Sequence, residues 1–162
     1  LTDHFVIRES GGCSRGGGSK VPDTLVIEAD MAGLIRASAW AETVATRLAL
    51  PSTTAFGLNL CVEEAISNII RHGFGGAAPN GEDIHLTVAA TPRALTLTIA
   101  DRAPAFDPRG HIQPAHPAAV EAARVGGMGI HLMRQFAEAL EYERRDGMNR
   151  LTLRFGLPAA PA

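Results

Sequence analysis

Apolar positions recur along this chain with two different periods, and the switches between them mark out its elements. Leu25 to Ala29 alternates weakly and predicts a short first strand. Leu34, Ala37, Ala41, Val44 and Leu48 then recur at helical spacing, with Asp30 placed to cap that helix and Pro51 to end it. Ser52 is placed to cap a second helix running from about Thr53 to Arg71, with Phe56, Leu60, Val62, Ile66, Ile69 and Ile70 as its apolar surface. Gly73, Gly75 and Gly76 stop it. Alternation returns at Ile84, Leu86, Val88 and Ala90, and again at Leu95, Leu97 and Ile99. Thr91-Pro92-Arg93 between these runs is short enough for a hairpin, and Asp101 closes the second strand.

Residues 102–125 are rich in Pro, Ala and His, with a short helix predicted near Ala118–Arg124. A connection of that length is uncommon unless it is functional, and a lid is the expectation. A further helix is predicted from Ile130 to about Ala139, followed by a hairpin through Tyr142 and Leu151, Leu153 and Phe155 that turns at Asp146-Gly147. The predicted order is β, α, α, β, β, lid, α, β, β. That order implies an α+β fold, a two-layer sandwich with helices on one face of a mixed, mostly antiparallel sheet. Residues 1–24 contain Gly11, Gly12 and Gly16 to Gly18 among serines, so they read as a flexible N-terminal segment ahead of a domain at residues 25–156. The run Gly18-Ser19-Lys20 is not a phosphate loop, because that loop needs Gly-Lys followed by Ser or Thr after a buried strand.

Composition narrows the function classes. The chain has 162 residues, enough for one domain with a sizeable core. A net charge of −2 supplies no basic field, so direct nucleic-acid binding is not expected. The two cysteines, Cys13 and Cys61, are far apart and support neither a disulfide framework nor zinc. A reducing compartment follows, and a cytoplasmic location is expected. No apolar run approaches the roughly 18 residues of a membrane span, and no signal peptide is visible.

Three separated segments carry candidate chemistry. Glu64, Asn68 and His72 lie four apart, on one face of a helix. A carboxylate and a carboxamide one turn apart can serve as a base and a hard-metal ligand. Such pairs also occur on solvated helix faces, but this helix is otherwise apolar, where uncompensated polar groups are costly. Asp101 ends a buried strand at the start of Asp-Arg-Ala-Pro-Ala-Phe-Asp-Pro. It is placed either to end the strand in a turn or to accept a hydrogen bond from an amino group such as the adenine N6. The glycines of Val125-Gly126-Gly127-Met128-Gly129-Ile130 precede a helix, where open backbone N–H groups allow close approach by phosphate.

In this order the segments resemble the N, G1 and G2 boxes of the Bergerat-fold ATPases, the superfamily of gyrase, the large heat-shock chaperone and sensor histidine kinases. The segment Glu64 to Gly73, the Gly127-Met128-Gly129 helix start and the ending Asn149-Arg150-Leu151-Thr152-Leu153 are most similar to the small anti-sigma-factor serine/threonine kinases. The resemblance spans roughly residues 25–156 and implies the histidine-kinase-like ATPase fold. It implies ATP and Mg²⁺, with Asn68 as the metal ligand and Glu64 as the catalytic base. Asp101 reads adenine with Thr152 helping through a water, and the backbone at Gly127, Met128, Gly129 and Ile130 approaches the phosphates. Ala103 and Ala105 stand in the nucleotide site where the family usually has glycines, a departure that narrows the space beside the base.

The function this implies is an anti-sigma factor that phosphorylates a STAS-domain anti-anti-sigma protein and alternately holds a sigma factor. A homodimer, with no direct nucleic acid and no membrane, is implied with it. Two alternatives stand beside it: an ATP-binding partner switch without transfer, and a histidine-kinase-like catalytic domain. The second is disfavoured because no dimerising helical hairpin with a phospho-accepting histidine precedes the domain.

Overall fold

A computed structural model describes residues 22–75, 83–107 and 128–158. The elements are β1 (Asp23–Glu28), α1 (Met31–Arg47), α2 (Ser52–Asn68), a single π-helical turn (Ile69–Gly73), β2 (Asp83–Ala90), β3 (Ala94–Asp101), α3 (Met128–Phe136), β4 (Ala139–Arg145) and β5 (Met148–Gly156). The expected lid and its short helix lie largely outside the described residues, as do Gly126 and Gly127.

The five strands form one sheet in the order β1-β2-β3-β5-β4. The sheet is not mixed, because every adjacent pair is antiparallel. The physical reason lies in the crossover from β3 through α3 to β4. β3 and β4 run the same way, but β5 folds back from β4 and inserts between them. The hairpin that does this turns as its sequence predicts. Asp146 and Gly147 have φ of 53° and 77°, the paired positive values that a two-residue turn matching the sheet twist requires.

Alternation sorts the strand residues onto two faces. Ile27, Ile84, Leu86, Leu97, Ile99 and Leu153 are almost fully buried under the helices. Leu58, Val62 and Ile66 of α2, with Ala37, Ala41 and Val44 of α1, fill the facing layer. Small residues on α1 let it approach closely: Gly33 lies so near the Glu28 carbonyl that a β-carbon would overlap it. On the opposite face Thr24, Thr87, Thr98 and Thr152 stand in register across four strands.

Local signals hold at most element ends. Asp30 caps α1, its carboxylate accepting the Gly33 N–H at 2.7 Å. That cap contributes on the order of 1 kcal/mol. Ser52 does not cap α2, because Pro51 holds the cap position with extended ψ of 144° and its carbonyl accepts the Ala55 N–H. Ser52 is thereby already the first helical residue. The first strand opens at Asp23, ahead of the expected boundary at residue 25. Asp23 pairs with Val88 and forms an ion pair with Arg47 of α1. The third helix ends at Phe136 rather than near Ala139, because the Glu138 N–H turns to the Arg154 carbonyl and begins the sheet edge.

Candidate functional site

α2 is regular up to Asn68, where the backbone widens. The Phe74 N–H reaches back five residues to the Ile69 carbonyl at 3.0 Å, closing a π-turn over Ile69–Gly73. Such widened turns recur at functional sites because they re-aim the side chains around them. Asn68 stands at the junction, half-buried, with its side chain on a cavity. His72 reaches the same cavity but is exposed. Glu63, the neighbouring carboxylate, faces α1 and accepts a 2.6 Å hydrogen bond from Ser38.

The cavity lies between the end of α2, the ends of β3 and β5, and α3. It is an open cleft, with about 530 Å³ of empty space when the open solvent at its mouth is included. Ala65, Ile69, Ile130, Met133 and Leu151 make apolar walls. Asn68 and Asp101 bring polar groups to it from two elements, and Ala103, Pro104 and Phe106 border it from the segment after β3.

Asp101 is buried at 4% exposure, and several hydrogen bonds fix it. Its Oδ1 accepts the Ala103 N–H and the Asn149 Nδ2, both at 2.8 Å. Asn149, directly opposite on β5, is buried at 6% exposure. Its Nδ2 also donates to the Ala103 carbonyl at 3.0 Å and the Pro104 carbonyl at 3.3 Å. Its Oδ1 accepts the Tyr142 hydroxyl at 2.8 Å and Arg144 Nη1 at 2.6 Å. Arg144 donates in addition to the Ala103 carbonyl at 3.0 Å.

Two glycines admit neighbours that a side chain would exclude. A β-carbon at Gly73 would lie 2.7 Å from the Ala103 methyl. The methyl that stands in place of an expected glycine is therefore housed by a glycine on the facing turn. A β-carbon at Gly129, near the start of α3, would overlap the Glu64 carboxylate. That contact puts Glu64 beside the first described turn of α3. The same carboxylate acts on Cys61, one helical turn before it. Burial, with the Glu64 charge second, pushes that thiol from 9.0 up to about 12.

Of the residues singled out from sequence, the structure brings Asn68, Asp101, Ala103 and Ile130 to the cavity and Glu64 against Gly129. Ala105 is exposed and does not line it. Gly127 lies outside the described residues, and Met128 enters through the backbone start of α3. Thr152 is not brought to the cavity. It pairs with Thr98 and Glu141 on the outer face, because it stands an odd number of positions from Asn149. Asn149, Tyr142 and Met133 were missed in the sequence. The signal for Asn149 was parity: it shares the inward phase of Leu151, Leu153 and Phe155, where a polar side chain needs a polar partner.

The sequence matches the histidine kinase-like ATPase domain over residues 27–155. It is 39% identical over 135 residues to the serine/threonine-protein kinase BtrW of Bordetella bronchiseptica, covering 83% of this chain and 94% of that protein. The fold is similar to the crystal structure of the RsbU and RsbW domains of Rv1364c from Mycobacterium tuberculosis, with a TM-score of 0.56 and 12% identity. The match covers 86% of this chain and spans 34% of that longer one, a likeness of fold.

Proposed function

Because this chain belongs to the histidine kinase-like ATPase domain family, we propose that it is an ATP-dependent protein serine/threonine kinase acting as an anti-sigma factor. It phosphorylates a STAS-domain anti-anti-sigma protein and alternately holds a sigma factor, as a homodimer in the cytoplasm. Among the described residues no helix is long and apolar enough to cross a membrane.

The observation that carries this reading is that segments near residues 64–73, 101–106 and 129–133 meet around one cavity that both Asn68 and Asp101 line. The Asp101 carboxylate, held by Asn149 and the Ala103 N–H, suits an exocyclic amino group. Ile69, Ile130, Met133 and Leu151 suit the flat apolar faces of a purine. Gly129 and the start of α3 offer backbone N–H groups and a positive dipole end to phosphate.

Among the described residues no group of three or more His, Cys, Asp or Glu side chains could hold a metal ion. The Asn68 carboxamide oxygen is the group that would hold a Mg²⁺ at this cavity. When bound, that ion neutralises phosphate charge during transfer. Glu64, half-buried beside Gly129, takes the proton of the incoming serine or threonine hydroxyl. The rest of the site supplies positioning.

The test is transfer itself. The full chain with labelled ATP, Mg²⁺ and a STAS-type domain is expected to label a serine or threonine of that domain. Glu64→Gln is expected to keep nucleotide affinity and to lose transfer by about 10²- to 10⁴-fold. Binding of ATP with no transfer to any STAS-type domain would leave a nucleotide-gated binding module instead.

A further inference from the structure

The Asn149 amide has a fixed orientation. Its Nδ2 faces three acceptors, Asp101 Oδ1 and the Ala103 and Pro104 carbonyls. Its Oδ1 faces two donors, the Tyr142 hydroxyl and Arg144 Nη1. Flipping the amide would set oxygen against three acceptors and an NH₂ against two donors. Asn149 therefore links the carboxylate of Asp101 to the chain that follows β3, and both to the edge strand β4. Arg144 closes the ring by bonding the Ala103 carbonyl as well. No buried polar side-chain atom among the described residues lacks a partner.

We infer that Asn149 is a positioning residue for purine discrimination, acting by fixing the orientation of Asp101. The inference rests on the nucleotide reading given above and adds a residue, with its own network, that controls which base is accepted. The chemistry is direct. A carboxylate oxygen attracts the exocyclic amino group of adenine and repels the carbonyl oxygen that guanine carries at the same position. That contrast lasts only while the carboxylate cannot turn away. Asn149 holds it from the facing strand, and Tyr142 and Arg144 hold Asn149. With the link removed, the Ala103 N–H still bonds Oδ1, but the carboxylate loses its hold from the facing strand and gains freedom to turn, so adenine's partner is less fixed and guanine's obstacle weaker.

The experiment titrates the full chain and its variants with ATP and with GTP by calorimetry, beside thermal unfolding. Asn149→Ala is expected to weaken ATP binding by about tenfold or more and leave GTP binding within about twofold, so the ratio between them narrows. Tyr142→Phe, which removes one of two donors to the Asn149 oxygen and spares the core, is expected to narrow the same ratio by about two- to threefold. It keeps the test open should Asn149→Ala fail to fold. Asn149→Asp places two carboxylates together, and a pair that shares a proton regains the hydrogen bond. Its ATP affinity relative to the parent chain is therefore expected to rise as pH falls from about 8 to about 6. Equal losses of ATP and GTP in the folded variants, or an unchanged ratio in all of them, would overturn the inference while leaving nucleotide binding intact. A parent chain that binds neither nucleotide would remove the reading beneath it.

Discussion

Replacing Gly73 by alanine tests how the cavity accommodates Ala103. The added β-carbon would lie 2.7 Å from the Ala103 Cβ, well inside the roughly 3.5–4.0 Å at which carbon atoms attract. One of the two must move by about 1 Å. Ala103 has little freedom to do so, being 2% exposed, with its N–H bonded to Asp101 and its carbonyl to Asn149 and Arg144. Overpacking of this kind costs about 1–3 kcal/mol, or a melting temperature lower by roughly 3–9 °C in a chain of this size. Ala103→Gly alone loses a buried methyl and adds backbone freedom, together about 1–2 kcal/mol. In the double variant the collision is gone, so the two losses do not add, and the coupling should recover about 1–3 kcal/mol. Urea unfolding of all four chains, with ATP affinity measured on each, gives the coupling. A Gly73→Ala cost that is the same with alanine or glycine at 103 would refute the reasoning.

Three further outcomes concern Gly129 and Cys61. Gly129→Ala pushes a methyl into the Glu64 carboxylate, the far end of a side chain that can swing aside. Unfolding free energy should therefore change by less than about 1 kcal/mol, while phosphotransfer falls by about tenfold or more, read in a transfer assay. Cys61 is fully buried with its thiol raised from 9.0 to about 12. Because the folded value lies above the unfolded one, the group leaves stability unchanged below pH 9.0 and lowers it from there to about 12. In a Cys13→Ser background, Cys61 should resist a thiol reagent until the chain is unfolded, and prompt labelling of the native protein would contradict this.

Much of the fold was legible because its signals are local. Asp30 is a cap, Thr91-Pro92-Arg93 and Asp146-Gly147 are turns, and the alternation of Ile84 to Val88 or Leu95 to Ile99 marks a buried strand face. Each needs only neighbours in sequence to act. Insertion of β5 between β3 and β4 was not legible, because no local signal states which strand a hairpin arm will join. The π-turn after Asn68 was not legible either, since Ile69 and Ile70 keep an apolar helical pattern through it. At the site, Glu64, Asn68 and Asp101 stood out as polar groups in apolar frames. Thr152 entered only through the family resemblance, and its parity sends it to the outer face. Asn149 had the inward parity, and its role depends on Asp101, Tyr142 and Arg144 meeting it from two other strands.

The most direct measurement is calorimetric titration of the full chain with ATP and Mg²⁺, parent beside Asp101→Asn. The substitution keeps the side chain's size and removes the charge that accepts an amino group. The account predicts saturable one-to-one binding to the parent and affinity lower by about tenfold or more in the variant. No heat of binding for the parent, or equal affinity in both, would contradict it.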